Sequence, residues 1–436
     1  MKHNKHIHSL LGNGIIAGTG MLVSIVLFRV LSIAEMGAWI VFFSTILLFD
    51  TIRSGIITMA FVKFFSGTSD QRANAVIGST WYLAIVITLF LLLLNIPSYI
   101  VSFYINSAGF AYFLKWFGII YMASLPFFVI SCLLQAKQRF DQLLLLRLFN
   151  QGSFLLLLLL FVWLKMIDLQ MTILAYLVSN GIASLVGLFL GWGDVYKLKF
   201  RSKKVVKEII SFGKFSVGTN LSATLLGSVD TYIINFMLGP TALAVFNTGI
   251  RLLQVVEIPL LSFASTAMPT LSTLYNQGNQ EELVKVAKKY IAIVTILFIP
   301  MIVLSFLFGD LAVWILAGSK YVYTEAPNLL RLFMILSLLY PLDRFLALMV
   351  DVIHKPQVNL LKVLCMLAIN IVVDVVCIYY FKSIYCVVFG AILALLTAIA
   401  ISYHTLKKYY IRISLIDIYK QLSFTTIKSF IFNNGK

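Results

Sequence analysis

Apolar residues dominate the chain in long runs broken by short polar segments. The runs lie near 10–31, 37–62, 75–97, 112–134, 143–164, 172–192, 213–237, 241–268, 290–308, 327–352, 358–381 and 384–406. A run of about 20 apolar residues spans the hydrocarbon layer as a helix. A membrane barrel would show segments of about 10 residues in alternation, and the sequence has none. The pattern therefore predicts an all-α integral membrane protein with twelve transmembrane helices. The basic start "MKHNKHIHSLLGNG" precedes a run too long for a cleaved leader, so it reads as part of a retained first span.

The breaks predict orientation. With the N-terminus inside, the external loops carry only Lys165, Lys320 and Lys382, and the other loop cations fall on the cytoplasmic side. Cytoplasmic loops are the ones enriched in Lys and Arg, so both termini are expected in the cytoplasm. The longest break, "GDVYKLKFRSKKVVKEI", divides the chain into a six-helix lobe at 1–196, a basic linker at 197–212 and a second lobe at 213–406. One constant offset brings Asn13 onto Asn220, Gly20 onto Gly227, Leu31 onto Leu238 and Asp50 onto Glu257. Two six-helix parallel repeats follow from that, an arrangement used by secondary transporters. Residues 407–436 mix cations with apolar residues and read as an amphipathic tail on the cytoplasmic surface.

Composition sharpens this picture. Hydrophobic residues make up 61% of the 436 and charged residues 12%, with a mean hydropathy of +0.97. The net charge of +17 is spread over loops and not gathered in one soluble domain, which argues against a nucleic-acid partner. Cys132, Cys365, Cys377 and Cys386 all lie inside apolar runs and read as packing residues without a disulfide framework. No GxxxxGK[ST] loop, metal-ligand spacing or large external loop is present, so the reading is of a protein without covalent chemistry or cofactor.

The candidate chemistry lies in charges inside the apolar runs, which normally face a partner or a water-filled path. The cations are Arg29, Arg53, Lys115, Arg147, Arg251, Arg331, Arg344 and Lys362, and the acids are Asp50, Asp230, Glu257, Asp343, Asp351 and Asp374. The excess of cations suits an anionic substrate. Arg29, Arg53, Arg147, Arg251, Arg331 and Arg344 are the candidate substrate contacts. Asp50, one turn from Arg53, and Glu257 at the repeat-equivalent place are expected to orient the cations; mutual neutralisation of Asp50 and Arg53 is the competing reading. Asp343 and Arg344 are adjacent and must point apart. Lys115 and Lys362 are expected to snorkel to headgroups. Asn370 and Asp374 share one helical face and, with Asp230 and Thr397, offer oxygen donors for a coupling Na⁺ or H⁺. Plain interhelical hydrogen bonding is the alternative.

Four stretches, in order and spacing, resemble the polysaccharide-exporting flippases: "FRVLSIAEMGAW", "SVDTYIINFMLGPTALAVFNTGIRL", "AMPTLSTLY" and "DVIHKPQVNLLKVLCMLAIN". These O-antigen and capsule repeat-unit translocators share a superfamily with multidrug and toxin extrusion transporters and lipid II flippases. The resemblance implies translocation of undecaprenyl-diphosphate-linked oligosaccharide across a bacterial inner membrane by alternating access. It implies a cationic cavity, for which Arg29, Arg53 and Arg251 are the matching positions. It also implies partial conservation of the sodium site that lipid II flippases hold between spans seven, eleven and twelve. A polysaccharide polymerase and a chain-length regulator are the implied protein partners. Lipid II flippases have more than twelve spans, and drug extruders carry a deep acid in span one; this chain has neither feature. A cation-coupled multidrug antiporter of the same fold is the alternative.

Overall fold

The computed structural model describes residues 2–409, which are helices joined by short turns, with no strand among them. The helices are α1 Lys2–Val30, α2 Ile33–Phe65, α3 Asp70–Val101, α4 Ala108–Ala136, α5 Phe140–Trp163, α6 Leu169–Phe189, α7 Lys203–Met237, α8 Pro240–Asn276, α9 Gln280–Ala317, α10 Ser319–Val322, α11 Ala326–Leu336, α12 Tyr340–Val352, α13 Pro356–Phe381 and α14 Tyr385–Lys408. The proposed tail beyond Tyr409 lies outside the described residues.

Ten segments among the described residues are long and apolar enough to cross a membrane. They are α2, α3, α4, α5, α6, α8, α9, α13, α14 and the composite α11–α12. The other two expected spans fall on α1, whose described apolar part is Gly14–Val30, and on α7. In α7 the cations Lys203, Lys204, Lys207 and Lys214 and the polar residues Asn220, Thr224 and Asp230 dilute the apolar signal. Span ten is a broken helix, α11 and α12 joined by a 3-10 turn at Ser337–Leu339. Pro341 opens α12 and has no N–H for the carbonyl one turn back, so the chain tightens there.

Two compact units divide the chain, one ending at Asn235 and the other beginning at Phe236. In unit 1, α4 is the central helix and packs on α2, α3, α5 and α6. Its core includes Ile57, Phe61, Trp81, Ile130 and Leu133. The α1–α2 turn is closed by a capping box. The Ser32 hydroxyl accepts from the Glu35 N–H at 3.2 Å, and the Ser32 N–H donates to the Glu35 carboxylate at 3.0 Å. In unit 2, α8 packs on α9, α11 and α12, and α14 packs on α12 and α13.

Helix α13 shows what solvent the fold is built for. Its buried residues are Lys362, Asn370, Asp374 and Ile378, while Leu361, Val372 and Val376 are exposed. Polar inside and apolar outside is the pattern of a helix bathed in lipid, where polar side chains must find protein partners.

The basic linker expected at 197–212 is built from a 3-10 turn at Val195–Phe200 and the first turns of α7, which begins at Lys203. One expectation needs correction: the cysteines are not all free packing residues. A disulfide joins Cys377 at the end of α13 to Cys386 at the start of α14, with Cα atoms 5.5 Å apart. The sequence hid this pair because both residues sit in apolar runs, and only the sharp α13–α14 turn brings them together.

Candidate functional site: charges within the helical units

Arg53 is the most enclosed cation among the described side chains of unit 1. Its Nη2 lies 2.6 Å and its Nε 2.9 Å from Oδ1 of Asp50, and Nη1 donates to Ser124 Oγ at 3.3 Å. The guanidinium lies over the Phe128 ring at 4.1 Å and over Tyr121 at 5.0 Å. Tyr121 is itself fixed by donating to the Ile46 carbonyl at 2.7 Å. The Arg53 side chain is 5% exposed and that of Asp50 is 35% exposed. Asp50 and Arg53 are thus paired, the contact common to the orienting and the neutralising readings, and the aromatic rings of α4 cover the flat guanidinium so that Asp50 is the more exposed partner.

Arg147 lies half-buried on α5, one turn before Gln151, whose Oε1 is buried without a hydrogen-bond partner. Asn150 beside it donates to Asn180 Oδ1 at 3.3 Å. No acid lies within ion-pair distance of Arg147 among the described residues. Arg29 is exposed in the last turn of α1.

In unit 2, α8 is two-faced. Leu253, Val256, Leu260, Ala264, Ala267 and Leu271 are buried against the unit. The opposite stripe carries Asn247, Arg251, Gln254, Ser262 and Ser265 around one exposed apolar residue, Ile258, and the last three of these polar residues are exposed. Arg251 makes one long hydrogen bond, 3.4 Å to Gln254 Oε1, and has no acidic partner among the described residues. Glu257 is exposed and likewise holds no cation. Its expected orienting role is not realised, because six positions along a helix place it far around the axis from Arg251. A polar stripe turned away from its own unit, on a span of a membrane protein, requires water or a polar partner opposite it.

The remaining cations of unit 2 divide by their partners. Arg331 bridges helices, its Nη2 2.8 Å from Asp310 Oδ2 on α9 and its Nη1 3.0 Å from Asn328 Oδ1. Arg344 is exposed and has no ion-pair partner among the described residues, while its neighbour Asp343 turns inward. There Asp343 accepts from Lys362 Nζ at 3.0 Å. Lys362 is buried, so it does not snorkel. Sequence carried no signal for this pair, since the partners stand on different helices. About two turns further along α12, Asp351 accepts from Asn359 at 2.7 Å.

Asn370 and Asp374 do meet on one face of α13, both buried and Asp374 fully so. They face Gly390 of α14, where a β-carbon would collide with Oδ1 of Asp374 and lie 3.3 Å from Oδ1 of Asn370. Gly390 thus makes the space this cluster occupies. A glycine in the middle of "VVFGAIL" was the available sequence signal, since small residues in spans mark close approach. Thr397 does not share that level. It lies seven residues, about 10 Å, further along α14, and its hydroxyl donates to the Leu393 carbonyl at 2.9 Å. Asp230 belongs to unit 1, half-buried on α7. Among the described residues no group of His, Cys, Asp and Glu has a geometry suited to a metal ion.

With this geometry in place, comparison with known proteins identifies the fold. The chain superposes on an inward-facing multidrug resistance MATE family transporter of the MOP superfamily with a TM-score of 0.75 and 14% identity, over 93% of this chain and 96% of that one. The lipid II flippase MurJ, in an inward closed conformation, gives a TM-score of 0.70 at 15% identity over 98% and 92% of the two chains. A MOP superfamily transporter from Pyrococcus furiosus, described as having a binding pocket of reverse polarity, gives 0.60 at 15% identity over 92% and 94%. No curated protein sequence matches the chain. Residues 216–376 match the MatE family. Residues 4–275 match the family described as polysaccharide biosynthesis protein. That match covers more than half of the sequence, and the chain belongs to the polysaccharide biosynthesis protein family.

Proposed function

We propose that this protein is a flippase for lipid-linked oligosaccharide, moving undecaprenyl-diphosphate-linked repeat units from the inner to the outer leaflet of a bacterial cytoplasmic membrane. The observation that carries the reading is Arg251, a cation on the polar stripe of α8 with no acid to neutralise it among the described residues. A guanidinium in that position suits a diphosphate, whose paired oxygens it can bind in a fork. Arg147 and Arg344, equally without acidic partners among the described residues, add to the same excess. The family supports a role in building a surface polysaccharide such as O-antigen or capsule. Both termini in the cytoplasm, alternating access between two lobes, and hand-over to a polymerase and chain-length regulator complete the proposal.

No phosphate-binding loop for ATP is present, so the drive comes from an ion gradient, the membrane potential or removal of product. One charge crossing 100 mV contributes about 2.3 kcal/mol. The buried Asn370–Asp374 pair is the place in unit 2 where a Na⁺ or H⁺ would bias one state over the other. The match to the MatE family over the second half favours a second reading, a cation-coupled drug antiporter.

Deletion of the gene tests the two. A flippase predicts loss of surface polymer and accumulation of the lipid-linked repeat unit in the inner leaflet, with drug susceptibility unchanged. Normal polymer with increased drug susceptibility would establish the antiporter instead.

A further inference from the structure

Residues 189–207 form a strap across one end of unit 1, and it is held in place at several points. The Trp81 indole N–H donates to the Gly193 carbonyl at 2.8 Å. Ser79 Oγ accepts from the Ser202 N–H at 3.0 Å. The backbone of the strap lies directly on α3, where a β-carbon at Gly78 would run into the carbonyl of Lys197 and the nitrogen of Arg201. Asp194 gathers the α4–α5 turn onto the strap, accepting from Lys137 at 2.8 Å and Lys197 at 3.0 Å.

What the strap leaves uncovered is a mixed surface. Arg139, Lys199, Arg201, Lys203, Lys204 and Lys207 are all exposed, and none has an acidic partner among the described residues. Arg201 stacks over the Tyr82 ring at 5.2 Å, which fixes its direction. Between these cations stand exposed apolar side chains, Phe189 at 87%, Tyr196 at 66% and Phe200 at 46%. At the start of α7, Val205 and Ile209 are buried while Lys203, Lys207 and Ile210 are exposed on the opposite face.

We infer that this strap is a docking surface for anionic phospholipid headgroups of the bilayer that the chain spans. Its aromatic and aliphatic side chains enter the boundary of the acyl layer, and its five exposed cations, with Arg139 of the adjoining α4–α5 turn, meet the phosphates. The chemistry is that of juxtamembrane basic segments, whose attraction to acidic lipid grows with each Lys or Arg held near the surface. A disordered basic loop would lose conformational entropy on docking. Here the hydrogen bonds to α3 have already fixed the backbone, so the cations are presented together. The surface acts at the membrane face and does not depend on what the protein transports.

The test uses the full chain purified in mild detergent and mixed with equal amounts of phosphatidylglycerol and phosphatidylcholine, with bound lipid counted by native mass spectrometry. The wild type is expected to retain phosphatidylglycerol by about tenfold over phosphatidylcholine, and soluble glycerol 3-phosphate should not displace it. Changing all six cations to Gln should bring the ratio close to one. A control with Lys320→Gln, Lys355→Gln and Lys382→Gln should keep the wild-type ratio. Should the sixfold variant fail to fold, Lys203→Gln/Lys204→Gln/Lys207→Gln alters exposed side chains only and should lower the ratio part-way. An unchanged preference in the strap variants, or an equal loss in the control, overturns the inference.

Discussion

Arg53 lies deeper in unit 1 than Asp50, the acid it grips at 2.6 Å. The guanidinium is covered by Phe128 and Tyr121, and the carboxylate forms the outer member of the pair. In a membrane protein this makes the arginine part of the interior and leaves the acid as the group that meets the environment.

Arg53→Ala should therefore act first on stability. Removing one partner of a buried ion pair leaves the other uncompensated, at a cost of about 3–5 kcal/mol when both are enclosed. With Asp50 one-third exposed, a loss of about 2–3 kcal/mol is expected. It would appear as a lower melting temperature in detergent and less protein in the membrane. Combining Arg53→Met with Asp50→Asn should restore most of it. A wild-type melting temperature with transport abolished would instead make Arg53 a direct substrate contact.

Arg251 should behave in the opposite way. It makes one hydrogen bond, at 3.4 Å, and no ion pair among the described residues, so Arg251→Ala should leave the melting temperature unchanged. If it grips a diphosphate, the lost charge-assisted hydrogen bond is worth about 1.5–3 kcal/mol, roughly a ten- to hundredfold drop in flipping rate in proteoliposomes. Lysine should restore only part of the rate, because it lacks the planar fork. Full activity in Arg251→Ala removes this residue from the path.

Gly390 and Asp374 should be coupled. Gly390→Ala places a methyl group into the carboxylate, and overpacking of this kind typically costs about 1–3 kcal/mol. Shortening the acid in Asp374→Ala frees that space, so the double variant should be more stable than the sum of the single changes implies. Additive losses in the melting temperature would show that the two helices separate without cost at this point.

The disulfide between Cys377 and Cys386 gives a test of orientation. Disulfides persist in oxidising compartments, so this pair tests the proposed topology, in which the α13–α14 turn with Lys382 lies on the outer side. In intact cells a membrane-impermeant maleimide should label neither cysteine before mild reduction and both after it. Labelling that requires permeabilised cells would invert the topology.

Asp194 sets an acid limit on the strap. Partial burial works against its ionised form, but the hydrogen bonds and charges of Lys137 and Lys197 prevail and hold its carboxyl below the usual carboxylate range. A depressed folded-state value means the clamp is fully present above the ordinary pKa of about 4 and is lost as pH falls through the lower folded value. Melting temperature should thus show no contribution from Asp194 titration between neutral pH and about 5. At lower pH a loss should appear that Asp194→Asn lacks. An identical acid profile in the variant would show that the clamp contributes nothing to stability.

The order of apolar runs was enough to define an all-helical membrane protein, to place ten of its spans and to suggest its family. Period and length alone carry that information, because a helix in lipid must satisfy its own backbone and can leave apolar side chains facing the bilayer. The same periodicity put Asn370 and Asp374 on one face and turned Asp343 away from Arg344. It stopped at the edge of each helix. Which way Arg53 leans depends on Phe128 and Tyr121 of α4, and the fate of Lys362 depends on Asp343, nineteen residues earlier on α12. Thr397 was grouped with Asp374 by depth, but the register between α13 and α14, set at Gly390, separates them. A helix fixes angles around its own axis, and only packing against neighbours fixes the distances across which charges, sulfurs and hydrogen bonds act.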